Sequence, residues 1–270
     1  MPPAICRYIV DHMNRSNIPQ WLVTIANTVA YRFYRFSNKV VRPAFDYYDF
    51  ETIDVIKAVL KRNSNAIDVG AHKGAILRHI LKQAPEGKHI AVEPIPYLYQ
   101  KLERKFGKSV TLLNLALANE TGETEFTLFK DRPAVSGLKA RHFNNTAYKK
   151  ELIKVQVRKL DDLVPQDQSV DLIKIDVEGA ELEVLKGARG ILERNKPVVL
   201  FEFAKGVTDL YGGTPELMFD FFDALGYTLT LQEYFLENRP GFNRAEFLGQ
   251  YEKGYNYFFM AYPAAVPASR

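Results

Sequence analysis

Cysteine is nearly missing from this chain, with Cys6 the single one in 270 residues. That excludes an intramolecular disulfide and any zinc site built on several thiolates, and it fits a reducing compartment. Long apolar runs are missing too. The longest uncharged stretch, residues 16–31, is interrupted by Asn17, Pro19, Gln20 and Asn27 and falls short of the ~20 apolar residues of a membrane span. Residues 1–30 lack a compact apolar core backed by a small-residue cleavage site, so no secretory signal is expected and a cytoplasmic location is. Strong charge of either sign is also absent. A net +4 is too little to imply nucleic acid.

What is present is the composition of a globular protein. Hydrophobic content of 47% with 25% charged residues excludes a largely disordered chain. At ~100–200 residues per domain, the length suits one large domain with an added segment. Residues 1–50, with Trp21 and many Tyr, Phe and Arg, read as a helical extension, and 51–270 as the domain. Short apolar runs at 66–70, 89–93, 110–117, 170–177 and 197–203 alternate with helical patterns at 51–62, 74–83, 96–105, 179–194 and 215–225. That alternation predicts an α/β fold: a doubly wound, mostly parallel sheet with helices on both faces. Two later runs, 227–234 and 255–262, have no helical pattern between them and are expected to be antiparallel neighbours.

Charge is unevenly spread. Residues 130–159 hold nine basic side chains against Asp131 and Glu151, a net +7, so the rest of the chain carries −3. This basic insert, at about 124–160, also contains strand-like runs at 124–129 and 152–158. Arg132, Lys139 and Arg141, with His142 beside them, are candidates to receive an anionic acceptor, since guanidinium forks grip phosphate or carboxylate bidentately. A solvated, lysine-rich surface is the alternative.

Three constellations carry chemistry. Asp68-Val-Gly70-Ala71-His72-Lys-Gly74 stands where a strand ends and a helix begins. Its glycines permit a tight turn and close approach of a ligand, and the helix start offers unpaired amides to an anion. The loop lacks the Gly-x-Gly-x-x-Gly of dinucleotide binders. Glu93 ends the next strand, 25 residues after Asp68, where an acidic side chain can accept hydrogen bonds from ribose hydroxyls. Asp176-Val-Glu178-Gly179-Ala-Glu181 ends the run 170–177. Residues two apart on a strand share a face, so Asp176 and Glu178 are expected to converge at the carboxyl edge of the sheet. Such a pair can share a proton, act as a base or bind a divalent cation. Alternatively Glu178 and Glu181 only favour a helix N-terminus.

The phrases AIDVGAHKG, AVEPIPYLYQKL, NLALANETGE and KIDVEGAELEVLKGA, in that order between about Phe50 and Tyr262, resemble the FkbM-type methyltransferases. These are a branch of the class I, Rossmann-like fold that uses S-adenosylmethionine. The resemblance implies a seven-stranded sheet with its last strand antiparallel. It places Asp68, Gly70 and Gly74, with Ala71 and His72 between them, under the methionine part of the cofactor. It gives Glu93 the ribose, Asn114 and Ala116 the adenine, and Asp176 and Glu178 the active-site edge. Many members carry a histidine just after the glutamate ending the fifth strand, whereas here Glu202 is followed by Phe203, Ala204 and Lys205. The base is therefore left open among Asp176, Glu178 and Glu202.

The expectation is an S-adenosylmethionine-dependent methyltransferase that methylates a hydroxyl of a sugar or related metabolite, the acceptor class coming from the resemblance alone. A divalent metal is left open, no nucleic-acid partner is expected, and oligomeric state is not read. The rival classes are a nicotinamide-dependent oxidoreductase, which shares the fold and the ribose-binding glutamate, and a catalytically silent cofactor-binding module.

Overall fold

The computed structural model describes residues 47–139 and 148–264. Contacts divide the chain into Met1–Tyr47 and Tyr48–Arg270, and the described fold belongs to the second unit. The expected extension up to residue 46, with Cys6 and Trp21, lies outside the described residues, as do Arg141 and His142.

Helix α1 (Tyr47–Val59) leads into β1 (Ala66–Val69), α2 (Ala75–Gln83), β2 (Ile90–Val92), α3 (Pro96–Phe106) and β3 (Thr111–Leu113). Next come β4 (Ala116–Leu117), β5 (Gly122–Phe129), β6 (Lys150–Arg158) and β7 (Leu172–Ile175). Then follow α4 (Glu181–Lys186), α5 (Arg189–Asn195), β8 (Val198–Glu202), α6 (Pro215–Ala224), β9 (Tyr227–Thr230), α7 (Gln232–Leu236), α8 (Arg244–Glu252) and β10 (Phe258–Pro263). Seven strands form one sheet in the order β3-β2-β1-β7-β8-β10-β9. All neighbours are parallel except β10, which runs antiparallel to β8 and β9. This is the expected Rossmann-like class I arrangement. The central strands β1, β2 and β7 are buried at every position, which is why they read as unbroken apolar runs rather than alternating ones.

The sheet's order fixes where chemistry can occur. Chain direction reverses its progress between β1 and β7, so the loops after these two strands open a crevice at the carboxyl edge. β1 and β7 are in register from Ala66 opposite Leu172 to Val69 opposite Ile175. The first strand's glycine loop and the Asp176 turn are therefore side by side.

Three sequence expectations change in detail. The run 110–117 is two strands, because the chain leaves the main sheet at Asn114 and β4 joins a second sheet, β4-β6-β5. That small sheet is the basic insert's own fold. Its inner face (Phe126, Leu128, Val155, Val157) packs with Ile95, Leu98 and Ala116. The helix expected over 179–194 is broken: a Cβ on Gly187 would lie 2.3 Å from the Ala118 carbonyl oxygen, and the Asp161 carboxylate accepts the Gly190 and Ile191 amides, both at 2.8 Å. Such capping begins a new helix there.

The strands β9 and β10 are antiparallel neighbours as expected, but α7 and α8 lie between them in sequence. The sequence does mark α8. Asn243 accepts from the Glu246 amide at 3.0 Å and Glu246 from the Asn243 amide at 2.9 Å, a capping box of the Asn-x-x-Glu kind. Phe247 and Tyr251, one turn apart, then stack against Phe203. Among the described residues no helix is long and apolar enough to cross a membrane.

Candidate active site

The loop after β1 is a run of left-handed residues: Gly70 (φ 77°), His72 (φ 50°) and Gly74 (φ 73°). Gly70 has no alternative, since a Cβ there would stand 1.9 Å from the Asp176 carbonyl oxygen. The amides of Gly70 and Ala71 both donate to the Val92 carbonyl at 3.0 Å, which pulls the loop across the end of β2. Ala71 is buried against Leu77 and Leu102. Helix α2 starts after Gly74 without any side-chain cap, so its first-turn amides are left to another acceptor.

Asp68, next to last in β1, is almost wholly buried. Neither of its carboxylate oxygens has a hydrogen-bond partner among the described residues. Among the described residues its one compensating charge is the Lys174 ammonium, 3.5 Å away. Burial pushes the Asp68 carboxyl above its ordinary range, while Lys174 pulls it back. Lys174 also lies 3.3 Å from Asp176 Oδ2 and donates to the Gly70 carbonyl at 3.2 Å. Burial alone would lower the lysine, but the field of Asp176 and Asp68 prevails and holds it above its usual range. Asp49, at the start of α1, adds to that field. Sequence reasoning passed over Lys174. The signal was a lone charge inside Leu172-Ile173-Lys174-Ile175, which a strand buried on both faces tolerates only beside an opposite charge.

Glu93 closes the other side of the loop. Its carboxylate accepts from the His72 amide at 2.8 Å and the Ile95 amide at 2.9 Å. Burial nevertheless pushes its carboxyl up to about 7. Asn114 donates its side-chain amide to the Glu93 and Pro94 carbonyls, at 2.8 and 3.1 Å, and so fixes the Glu93 turn from β3's end. Ala116 is buried in the core beneath α3. Burial, then the neighbouring Lys73, holds the His72 imidazole below its usual range.

At the edge itself, Asp176, Glu178 and Glu202 each bring a carboxylate oxygen within 4.8 Å of the others, and all three are half-buried. Asp176 and Glu178 do converge, though not through the strand pleat that the sequence suggested. Strand β7 ends at Ile175, and Glu178 is turned back by a left-handed backbone (φ 62°). Glu181 makes that turn. It is fully buried, and its Oε1 accepts from the Val177 and Gly179 amides at 3.0 and 3.1 Å. Burial pushes its carboxyl up to about 7. Beyond Glu202, Phe203 turns into the core and Lys205 pairs with Glu252 at the surface. Neither supplies a base to the edge.

The insert reaches the same place. A Cβ on Gly137 would lie 3.5 Å from Glu178 Cβ and 3.2 Å from the Tyr211 hydroxyl. Lys139 donates its amide to that hydroxyl at 2.7 Å and its ammonium to the Leu210 carbonyl at 2.9 Å. Arg132 donates to the Tyr148 hydroxyl at 3.0 Å. Other insert cations are paired on its surface, Lys130 with Glu151 and Lys154 with Glu123.

The glycine loop, Glu93 and the three carboxylates of the edge all fall within one stretch of the chain that a family profile covers. The sequence profile of the methyltransferase FkbM domain matches residues 68–229. The chain belongs to the FkbM methyltransferase family. Methyltransferase sdnD of Sordaria araneosa is 30% identical over 162 residues, covering 48% of this chain and 62% of the relative. Methyltransferase 1 of Beauveria bassiana is 26% identical over 145 residues, covering 46% and 58%. The chain thus spans less than two thirds of either relative's length. The crystal structure of methyltransferase FkbM from Methylobacillus flagellatus overlaps 75% of this chain and 44% of that one, at 18% identity and a TM-score of 0.47.

The methyl donor of the FkbM family is S-adenosylmethionine, and the residues present fit it. The buried, unsatisfied oxygens of Asp68 call for a charged donor such as the cofactor's ammonium group. The Glu93 carboxylate, steered by two amides, retains lone pairs for ribose hydroxyls. Gly70 and Gly74 let the loop close on the protein itself, where a Cβ would meet the Asp176 carbonyl at one and the Leu102 and Phe106 side chains at the other.

Proposed function

We propose that the protein methylates a hydroxyl oxygen of a sugar or a related hydroxylated metabolite, using S-adenosylmethionine. One observation carries the reading: three carboxylates, Asp176, Glu178 and Glu202, converge at the sheet edge beside the cofactor loop. The cofactor supplies an electrophilic methyl on sulfur. The chain's task is then to align an acceptor oxygen with that methyl and to take the proton the oxygen loses. Asp68 and the backbone of Gly70, Ala71, His72 and Gly74 hold the methionine part. Glu93 holds the ribose, with Asn114 and Ala116 flanking the adenine. Asp176, Glu178 or Glu202 accepts the proton, and a hydroxyl acceptor is favoured because such a proton needs an oxyanion to receive it.

The same three carboxylates could hold a divalent cation, which would lower the acceptor hydroxyl's pKa; a chelator that abolishes turnover would establish it. Arg132 and Lys139 are the described candidates for drawing in an anionic acceptor; Arg141 and His142, outside the described residues, are candidates by sequence alone. A cytoplasmic small molecule or saccharide, rather than nucleic acid, is the partner class this reading takes.

The test is transfer of labelled methyl from S-adenosylmethionine to a panel of hydroxylated and amino acceptors. Asp176→Asn is expected to lower turnover on a hydroxyl acceptor ~10²-fold or more while cofactor affinity in calorimetry changes much less. Transfer to amino acceptors alone would refute O-methylation, and no transfer to any acceptor would favour the silent module.

A further inference from the structure

We propose that Lys174 is a positioning residue that clamps the cofactor loop to the strand carrying Asp176, so that the two halves of the site are set relative to each other before any ligand arrives. The juxtaposition is specific. Lys174 and Asp68 are register partners on adjacent parallel strands, and Asp176 follows two residues later on the lysine's own strand face. The ammonium meets three oxygens: Gly70 O at 3.2 Å, Asp176 Oδ2 at 3.3 Å and Asp68 Oδ1 at 3.5 Å. The compact ammonium donates to the Gly70 carbonyl and faces a carboxylate from each of the two strand ends as an ion pair. With the lysine side chain 7% exposed, the ammonium itself has little access to water. Arginine's planar fork would not reach three oxygens arranged around a point.

Each contact serves a different part of the site. The Gly70 carbonyl belongs to the glycine loop, which a second contact, the Gly70 close approach to the Asp176 carbonyl, already presses on β7. Asp68 is a buried acid whose only compensating cation among the described residues is Lys174. Asp176 is the half-buried acid at the reacting edge. Removing the lysine strands the buried Asp68 carboxyl beside the half-buried Asp176, and the two loops lose their common anchor. Preorganised sites depend on such supports.

The clamp rests on the family's cofactor for only one of its two tests. In calorimetry with S-adenosylmethionine and with S-adenosylhomocysteine, Lys174→Met is expected to weaken both ligands about tenfold or more. A lysine that was only a neighbouring charge would behave oppositely, because the methyl donor is a net cation: its loss would tighten S-adenosylmethionine and leave the uncharged product unaffected. A lysine serving stability alone would lower the thermal midpoint and leave both affinities of the folded protein unchanged. Either result overturns the proposal. The second test is hydrogen exchange in the unliganded protein. Lys174→Met should speed exchange in both 70–74 and 176–179, while 90–92 and 198–202 stay as in the wild type, and unchanged exchange in the two loops overturns the clamp. If the wild type binds neither ligand, the cofactor assignment fails and exchange alone decides the clamp. Should Lys174→Met not fold, the pair Asp68→Asn with Lys174→Met removes the stranded charge, and its exchange is compared with that of Asp68→Asn alone.

Discussion

Glu93 is held by two amides yet carries a carboxyl pushed up to about 7 by burial, so its protonation state changes across the physiological range. Ribose hydroxyls donate best to the ionised form. Cofactor affinity is therefore expected to rise from pH 6 to pH 8, by up to about tenfold per unit below the pKa, and Glu93→Gln should flatten the profile. Glu93→Ala is expected to weaken binding by about 1–3 kcal/mol, the scale of a buried polar partner lost. Calorimetry across that range checks both, and a flat wild-type profile would remove the ribose role. At this scale the sequence was readable where a residue type is forced. Gly70 stands where any Cβ collides, and Glu93 ends a strand beside the loop. It was unreadable where the role depends on a partner far along the chain. Lys174 gains its meaning from Gly70, 104 positions away, and from Asp68, two residues before Gly70, and periodicity carries no such information. Asn114 is a milder case, since its amide is engaged with the carbonyls of Glu93 and Pro94.

Among the elements, the turn from Asp176 to Gly179 depends on Glu181, whose buried carboxylate collects two amides of that turn. Its folded pKa of about 7 is raised above the model-peptide value. The sign follows: this group stabilises the fold fully below its unfolded pKa, and the contribution is lost as pH rises through about 7. Glu93 adds to the same trend. The thermal midpoint is therefore expected to fall between about pH 4.5 and pH 7 and to level off above that. Glu181→Gln should lessen that fall because the amide oxygen still accepts. Glu181→Ala should cost about 1–3 kcal/mol at any pH by orphaning the Val177 and Gly179 amides. Denaturation followed at several pH values checks this, and a midpoint equal in Glu181→Ala and wild type would refute it. The two readings of Glu181, helix-end charge or site residue, resolve into a third: it shapes the turn that presents Glu178. Element boundaries were legible where burial is two-sided, as in β1 and β7. They failed where tertiary contact cuts a pattern short, at Gly187 against Ala118, and where the Asn243 capping box was overlooked.

For the molecule as a whole, the charge of the insert matters less than its count suggested. Lys154 pairs with Glu123, which lies outside the counted segment, so the field reaching the site is somewhat weaker than +7 would give, while Arg132 and Lys139, bonded to neutral oxygens, keep their charge. An anionic acceptor should still feel it. Its Michaelis constant is expected to rise with salt, as the screening length shortens from ~8 Å, and with Arg132→Ala or Arg141→Ala, while cofactor affinity stays nearly constant. Salt-insensitive kinetics on such an acceptor would leave the insert as the acceptor site's wall and nothing more. The antiparallel strand has a different consequence. β10 lies between β8 and β9, yet the ribosome delivers it after both. Until it arrives, each of those strands exposes an open edge lined by apolar residues such as Phe201 and Leu229, the kind of surface that recruits other chains. A nascent chain halted at Tyr257 is expected to aggregate, and separately supplied 258–264 peptide to rescue its solubility. The order of synthesis thus makes the sheet's final strand a late keystone, and the interval before its insertion is when a chaperone has most to do.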